Sequence, residues 1–295
     1  MNEWKKWPIK EIGKNEKNFP KELKRLKPEL KKLYFRGNWN NDLFIKVIAV
    51  VGSRRMTRYG REMTSRFIPD FVSKNVTVVS GFMYGVDSYA HEECLKYGGK
   101  TIAVTGFGLN CLYPPENDSL YTSILESGGL VISEFEPDFQ AKLWSFPVRN
   151  KTVAALANKG VLIIEAGANS GSLITAKLAD NLKRSVYAVP GMATCATSEG
   201  TNSLIGQGKA KLVTCYEDIF PSMGDKIQSK LFAREFSSEE AKIINELKRE
   251  SMSADELSEI MMLPIQKISE NLSKLLISGD VDEENGRYFI KRRQL

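Results

Sequence analysis

The sequence predicts an α/β protein: an extended Rossmann-like, doubly wound and mostly parallel sheet, followed by a small C-terminal winged-helix domain. Three observations carry this. Short β-branched runs alternate with helical patterns over residues 41–220. Three of those runs end in turns of one design. From residue 237 the pattern changes to short capped helices and a hairpin.

Taken in order, residues 1–37 read as a basic lead-in that begins as an irregular polar stretch. They hold twelve Lys or Arg and five Glu, a charge of +7, within a chain whose total is +6. The remainder therefore carries −1 (6 minus 7). The segment is either an electrostatic arm for nucleic acid or a solvated lysine-rich entry to the fold. Residues 38–220 form the Rossmann-like domain. Strands are expected at 46–51, 76–79, 100–104, 129–132, 161–164 and 185–189, with a short one near 211–214. Helices are expected at 58–74, 86–97, 117–127, 150–158 and 172–183.

Residues 221–236 read as a linker and 237–295 as the winged-helix domain. Ser237-Ser238-Glu239-Glu240 and Ser253-Ala254-Asp255-Glu256 are Ser-x-x-Glu capping boxes, each opening a short helix. A third helix runs from about Pro264 to Ser278, and Val281 to Ile290 reads as a hairpin turning at Asn285-Gly286. Three helices and a hairpin suggest a winged helix-turn-helix.

The three similar turns are the most informative feature. Val47–Val51 ends in Gly52-Ser53-Arg54. Val76–Val79 ends in Ser80-Gly81, followed by Gly85, Asp87 and His91. Val161–Ile164 ends in Glu165-Ala166-Gly167, followed by Ser170-Gly171-Ser172. A buried parallel strand that stops at small residues and enters a helix aims free N–H groups and a positive helix end at one spot. In a parallel sheet these spots share one edge, which suggests a phosphate-binding crevice.

Much is excluded. There is no G-x-x-x-x-G-K-[ST], no G-x-S-x-G elbow, and Gly106-Phe107-Gly108 lacks the rest of a dinucleotide fingerprint. His91 is the single histidine, and Cys94, Cys111, Cys195 and Cys215 form no C-x-x-C pair. No metal, cofactor or catalytic residue is expected. No apolar run reaches membrane length and no signal-peptide pattern opens the chain, so a cytoplasmic location without membrane contact is expected.

Each candidate residue has two readings. Asp87 and His91, four apart on a helix, are an acid–base pair, or a helix cap and a tie to a neighbouring loop. Glu165 is a general base or ribose acceptor, or it bonds backbone N–H groups of an adjacent turn. Arg54 follows a strand-ending Gly-Ser, where a phosphate would sit and a guanidinium would bind it bidentately, or it makes a structural ion pair. Phe146-Pro147-Val148-Arg149-Asn150-Lys151 brings an aromatic, two cations and an amide ahead of a helix. That is the composition of a single-strand nucleic-acid site, although such an aromatic also packs in cores.

Together these segments resemble the DprA (Smf) family of DNA-processing proteins over roughly residues 19–219. The motifs that match include Gly52-Ser53-Arg54, Ser80-Gly81-Phe82-Met83-Tyr84-Gly85-Val86-Asp87, Tyr113-Pro114, Phe146-Pro147-Val148-Arg149-Asn150-Lys151, Ser170-Gly171-Ser172 and Ser198-Glu199-Gly200-Thr201-Asn202. The resemblance implies a non-enzymatic single-stranded DNA binder that dimerises and helps load RecA recombinase, in transformation and recombination. It implies that Arg54, Phe146, Arg149, Asn150, Gly171 and Ser172 form the DNA pocket; Gly52, Ser53, Ser80, Gly81, Lys151 and Ser170, from the same turns and segment, are expected to contact nucleic acid beside them. Gly85, Asp87, His91 and Glu165 are expected to support it. Lys151 stands where the family usually has a second Arg, which keeps the charge and loses the fork.

Two rival classes remain open. A nucleotide-hydrolysing enzyme of related fold needs a Pro-Gly-Gly-x-Gly-Thr type loop, which residues 165–172 lack. A ligand-sensing regulator would read duplex DNA through the winged helix, but residues 235–295 hold thirteen acidic and nine basic residues. That balance is poor for a contact dominated by phosphate.

Overall fold

Nine strands form one sheet: β1 (Lys10–Gly13), β2 (Lys32–Gly37), β3 (Val47–Val51), β4 (Thr77–Ser80), β5 (Thr101–Thr105), β6 (Leu130–Ser133), β7 (Val161–Ile163), β8 (Val186–Ala188) and β9 (Lys211–Leu212). Their order across the sheet is β1-β2-β6-β5-β4-β3-β7-β8-β9. The seven strands from β6 to β9 are parallel, and β2 pairs antiparallel with both β6 and β1. The computed structural model describes residues 3–220, 237–247, 249–278, 280–284 and 286–290. It divides into two units, Met1–Pro221 and Ser222–Leu295. The linker expected at 221–236 lies outside the described residues.

The strands are apolar on both faces, as a covered parallel sheet requires. In β3, Val47, Ala49 and Val51 enter one buried cluster with Val153, Ala154, Ala176 and Ala179. Those partners lie on α4 (Ser145–Leu156) and α5 (Gly171–Asn181). Ile48 and Val50 enter the other, with Phe67, Phe71, Val86 and Ala90, on α1 (Arg58–Ser73) and α2 (Val86–Lys96). The period of two thus sends alternate residues to opposite helical layers. Helices α3 (Asp118–Glu126), α6 (Glu199–Gly206) and α7 (Tyr216–Ile219) complete the unit. Chain order steps outward from β3 through β4, β5 and β6, then restarts at β7 on the other side. The crevice of such a sheet lies at that reversal, beyond the carboxyl ends of β3 and β7.

Four expectations need correction. The lead-in is not irregular throughout, because β1 and β2 lie inside it. Trp4 is fully buried, stacks on Tyr121 at 4.7 Å, and donates its indole N–H to Asp118 at 2.8 Å. The strand near 211–214 is only Lys211–Leu212. The helix expected at 150–158 begins at Ser145, so the Phe146–Lys151 segment lies within it. Pro147 is the third helical residue, where the N–H it lacks would be unbonded anyway. Helices α6 and α7 were not expected.

The C-terminal unit contains α8 (Ser238–Leu247), α9 (Ala254–Met261), α10 (Ile265–Ile277) and the antiparallel pair β10 (Val281–Glu284) and β11 (Arg287–Ile290). Both capping boxes form. Glu240 N–H donates to the Ser237 hydroxyl at 3.2 Å while Ser237 N–H donates to the Glu240 carboxylate at 2.8 Å. Ser253 and Glu256 repeat this at 3.2 and 2.7 Å. Ile243, Leu257, Ile268, Leu272 and Leu275 make the unit's own core. Asn285 of the expected turn lies outside the described residues, and Gly286 has a φ of +76°. Among the described residues no helix is long and apolar enough to cross a membrane.

Candidate nucleic-acid interface

The three turns meet. A cleft of about 680 Å³ opens beyond β3, β4 and β7, lined by Gly52, Ser53 and Arg54, by Gly81 and Asp87, and by Ser170, Gly171 and Ser172. Phe146, Arg149 and Asn150 of α4 form another part of its wall.

Close backbone approach shapes the floor. Gly85 takes a φ of +76°, and a Cβ there would collide with the Ser53 carbonyl. With that space open, Val86 N–H donates to the Ser53 carbonyl at 3.1 Å. Glu165 is 1% exposed and accepts from Thr57 N–H at 2.9 Å and from the Thr57 hydroxyl. It therefore bonds the adjacent turn, the structural alternative of its two readings. Ser170 caps α5, with its hydroxyl accepting from Ser172 N–H at 3.4 Å. The remaining free N–H groups and the positive end of α5 lie beside the cleft.

The two arginines differ. Arg54 is exposed, and its guanidinium lies over the Phe146 ring, 5.4 Å from the centroid. It makes no hydrogen bond to protein among the described residues. Arg149 is 2% exposed and donates to the Gly81 and Val104 carbonyls and, at 3.1 Å, to the Asn150 side chain. Burial pushes its pKa down to about 10, against the pull of Asp87, so it stays charged at neutral pH. Burial pushes the Asp87 carboxyl up, with the Arg149 charge opposing. Arg149 and Asp87 thus form a charge couple at the floor. Phe146 is 8% exposed with Arg54 over it, so its ring orients a cation and offers little open face. Tyr113, 5.7 Å from Phe146 and 38% exposed, has the more accessible ring.

Several expectations change here. Ser80 is fully buried, donates to the Val50 carbonyl at 2.6 Å, and does not line the cleft. Lys151 turns away and donates to the Lys27 carbonyl. Asp87 does not cap α2, because Gly85 holds the cap position. His91 shares its helix with Asp87 but is fully buried, and its Nδ1 lies 2.6 Å from the Thr101 hydroxyl of β5. It ties helix to strand rather than to a loop. Its Nε2 is buried without a partner, and burial lowers its pKa to about 3. It is neutral at ordinary pH and does not line the cleft. Sequence reasoning missed Arg55, Asn169 and Thr197, which also line the cleft. Arg55 carried a signal, as a second cation directly after Arg54. Thr197 carried none, because it arrives from the loop after β8.

A model of the DNA recombination-mediator protein A family matches residues 10–224. The chain is 42% identical over 176 residues to protein Smf of Escherichia coli K12, covering 60% of this chain and 46% of the relative. It is 41% identical over 187 residues to DNA processing protein DprA of Streptococcus pneumoniae R6, covering 63% and 64%. It thus spans about half to two thirds of these relatives' length. Two solved structures are similar. DprA of Streptococcus pneumoniae aligns with TM-score 0.66 and 36% identity, covering 74% of each chain. DNA processing protein A of Helicobacter pylori, solved for its single-stranded DNA binding mode, aligns with TM-score 0.63 and 29% identity, covering 78% of this chain and 98% of that one.

Proposed function

We propose that this chain, which belongs to the DNA recombination-mediator protein A family, binds single-stranded DNA in the cleft beyond β3, β4 and β7 and acts as a recombination mediator without catalysis of its own. One observation carries the reading: three strand-to-helix turns converge on one cleft whose rim bears the exposed cations Arg54 and Arg55. A backbone phosphate fits against Arg54, the Ser53 region and the free N–H groups at the start of α5. A base can lie on the accessible Tyr113 ring. Such contacts read phosphate and base faces rather than base edges, so binding is largely independent of sequence.

Family membership supports two further parts of the proposal, dimerisation and delivery of the strand to a RecA-type recombinase, in the cytoplasm. The winged-helix reading of residues 237–295 rests on three helices, two capping boxes and a β-pair. Its acidic balance makes it a better partner for protein than for DNA. The deciding experiment is binding to matched single- and double-stranded oligonucleotides across a salt series. Single strands should bind tighter, with affinity falling by roughly 0.7 log unit per neutralised phosphate per log unit of salt. Equal or tighter duplex binding would reject the reading in favour of a duplex-reading regulator.

A further inference from the structure

The excess charge of residues 1–37 has a specific destination. Its acids are largely engaged: Glu3 pairs with Lys6, Glu11 with Lys32 and Glu29 with Lys14, while Glu16 accepts from Gly13 N–H. Lys21 and Arg25 stay exposed and have no ion pair among the described residues. They sit at the amino ends of the parallel strands, opposite the first cleft, because Ile45 precedes β3, Lys159 precedes β7 and Arg184 precedes β8. There Lys21, Arg25, Lys159 and Arg184 line a second cleft of about 350 Å³, with Glu22 the single carboxylate among its lining residues. Lys17 borders an adjoining cleft that shares Lys21 and Glu22.

We infer that this second cleft is a further phosphate site, occupied by the sugar–phosphate backbone of a nucleic-acid strand. Four cations against one carboxylate leave a surplus of positive charge, and a low-dielectric wall concentrates its field. The surplus is not neutralised within the molecule, since none of the four cations makes an ion pair among the described residues. Arg184 is under-satisfied: one terminal nitrogen donates to the Ala155 carbonyl at 2.9 Å, while its Nε is buried without an acceptor. No aromatic side chain lines this cleft, in contrast to the first. It would therefore hold backbone alone, with no base stacking. The two clefts are separated by at least the length of a central strand, about 15 Å. Because they open at opposite ends of the parallel strands, a strand that fills both must pass around the unit, a path longer than that span, which calls for a long strand or a second strand.

The inference rests on the single-strand reading of the first cleft, and the experiment separates the two. Full-length protein and a Lys21→Glu/Arg25→Glu/Lys159→Glu variant are titrated with oligothymidylates of about six and about thirty nucleotides across a salt series. The short strand should bind both proteins within about twofold. On the long strand the variant should bind at least about tenfold more weakly, with a salt slope lower by about 1.4, the share of two phosphates. The neutral variant Lys21→Gln/Arg25→Gln/Lys159→Gln should give a smaller change in the same direction, and it replaces the charge reversal if that fails to fold. If variant and parent share affinity and slope on the long strand, the second site is rejected and the first stands. If the parent binds neither oligonucleotide, both are rejected.

Discussion

The turn after β3 and the first turns of α4 look alike in sequence, each placing an arginine beside small or polar residues at the same cleft, yet the two side chains are used differently. Arg54 stands in the cleft over the Phe146 ring and gives no hydrogen bond to protein among the described residues. Arg149 is buried and spends its donors on the Gly81 and Val104 carbonyls and on Asn150. One cation is available to a ligand; the other holds the floor on which that ligand would lie. Charge of the same type at the same cleft can therefore act on binding or on stability, according to what its donors already touch.

The largest test of this difference is Arg149→Ala. It strands two carbonyls and takes from buried Asp87 the larger of the two cations acting on it, Arg54 being the other, so unfolding free energy should drop by about 3–5 kcal/mol in urea melts. An unchanged melt with lost DNA binding would reverse the assignment and make Arg149 a ligand contact. Arg54→Ala should do the converse. It should weaken single-strand binding by about 1–3 kcal/mol, measured by fluorescence anisotropy, and leave the melt in place.

His91 sharpens the comparison through pH. It is buried and neutral when folded, with its pKa lowered from 6.5 to about 3, so the unfolded chain binds more protons between those values. Its contribution is present above pH 6.5 and is lost as pH falls through that window, by about 1.4 kcal/mol per pH unit. Melts from pH 6.5 downward should show a shallower dependence in His91→Gln; equal slopes would mean that the imidazole is hydrated in the native state. The smallest effect is expected from removing the C-terminal unit. Truncation near residue 221 should keep single-strand affinity within about tenfold, or 1.4 kcal/mol. A salt slope lower by two or more phosphates would show instead that this unit touches DNA.

The core strands and the three turns were legible because β-branched runs bounded by small residues leave little choice of structure. Strands β1 and β2 were not: Lys10-Glu11-Ile12-Gly13 and Lys32–Gly37 mix charge with apolar residues, and their pairing partners are distant in sequence. The start of α4 was misplaced because Pro147 was read as lying ahead of the helix, where it sits in the first turn. That shift changes which residues face inward, Arg149 among them. Orientation is a property of helical phase and neighbours. Place in a turn or segment carried the expectation for Ser80 and Lys151, and packing turned both away from the cleft.

The antiparallel pairing of β2 with β6 sets a schedule for a chain made one residue at a time. Tyr34 pairs with Ser133 and Gly37 with Leu130, so each partner is synthesised about ninety-five residues after β2. At roughly 5–20 residues per second that is a wait of about 5–20 s. During it, Leu33, Tyr34 and Phe35 have no strand to join on that side. The β1–β2 edge of the sheet can join it only after β6 is made, so these residues wait for a partner translated long after them.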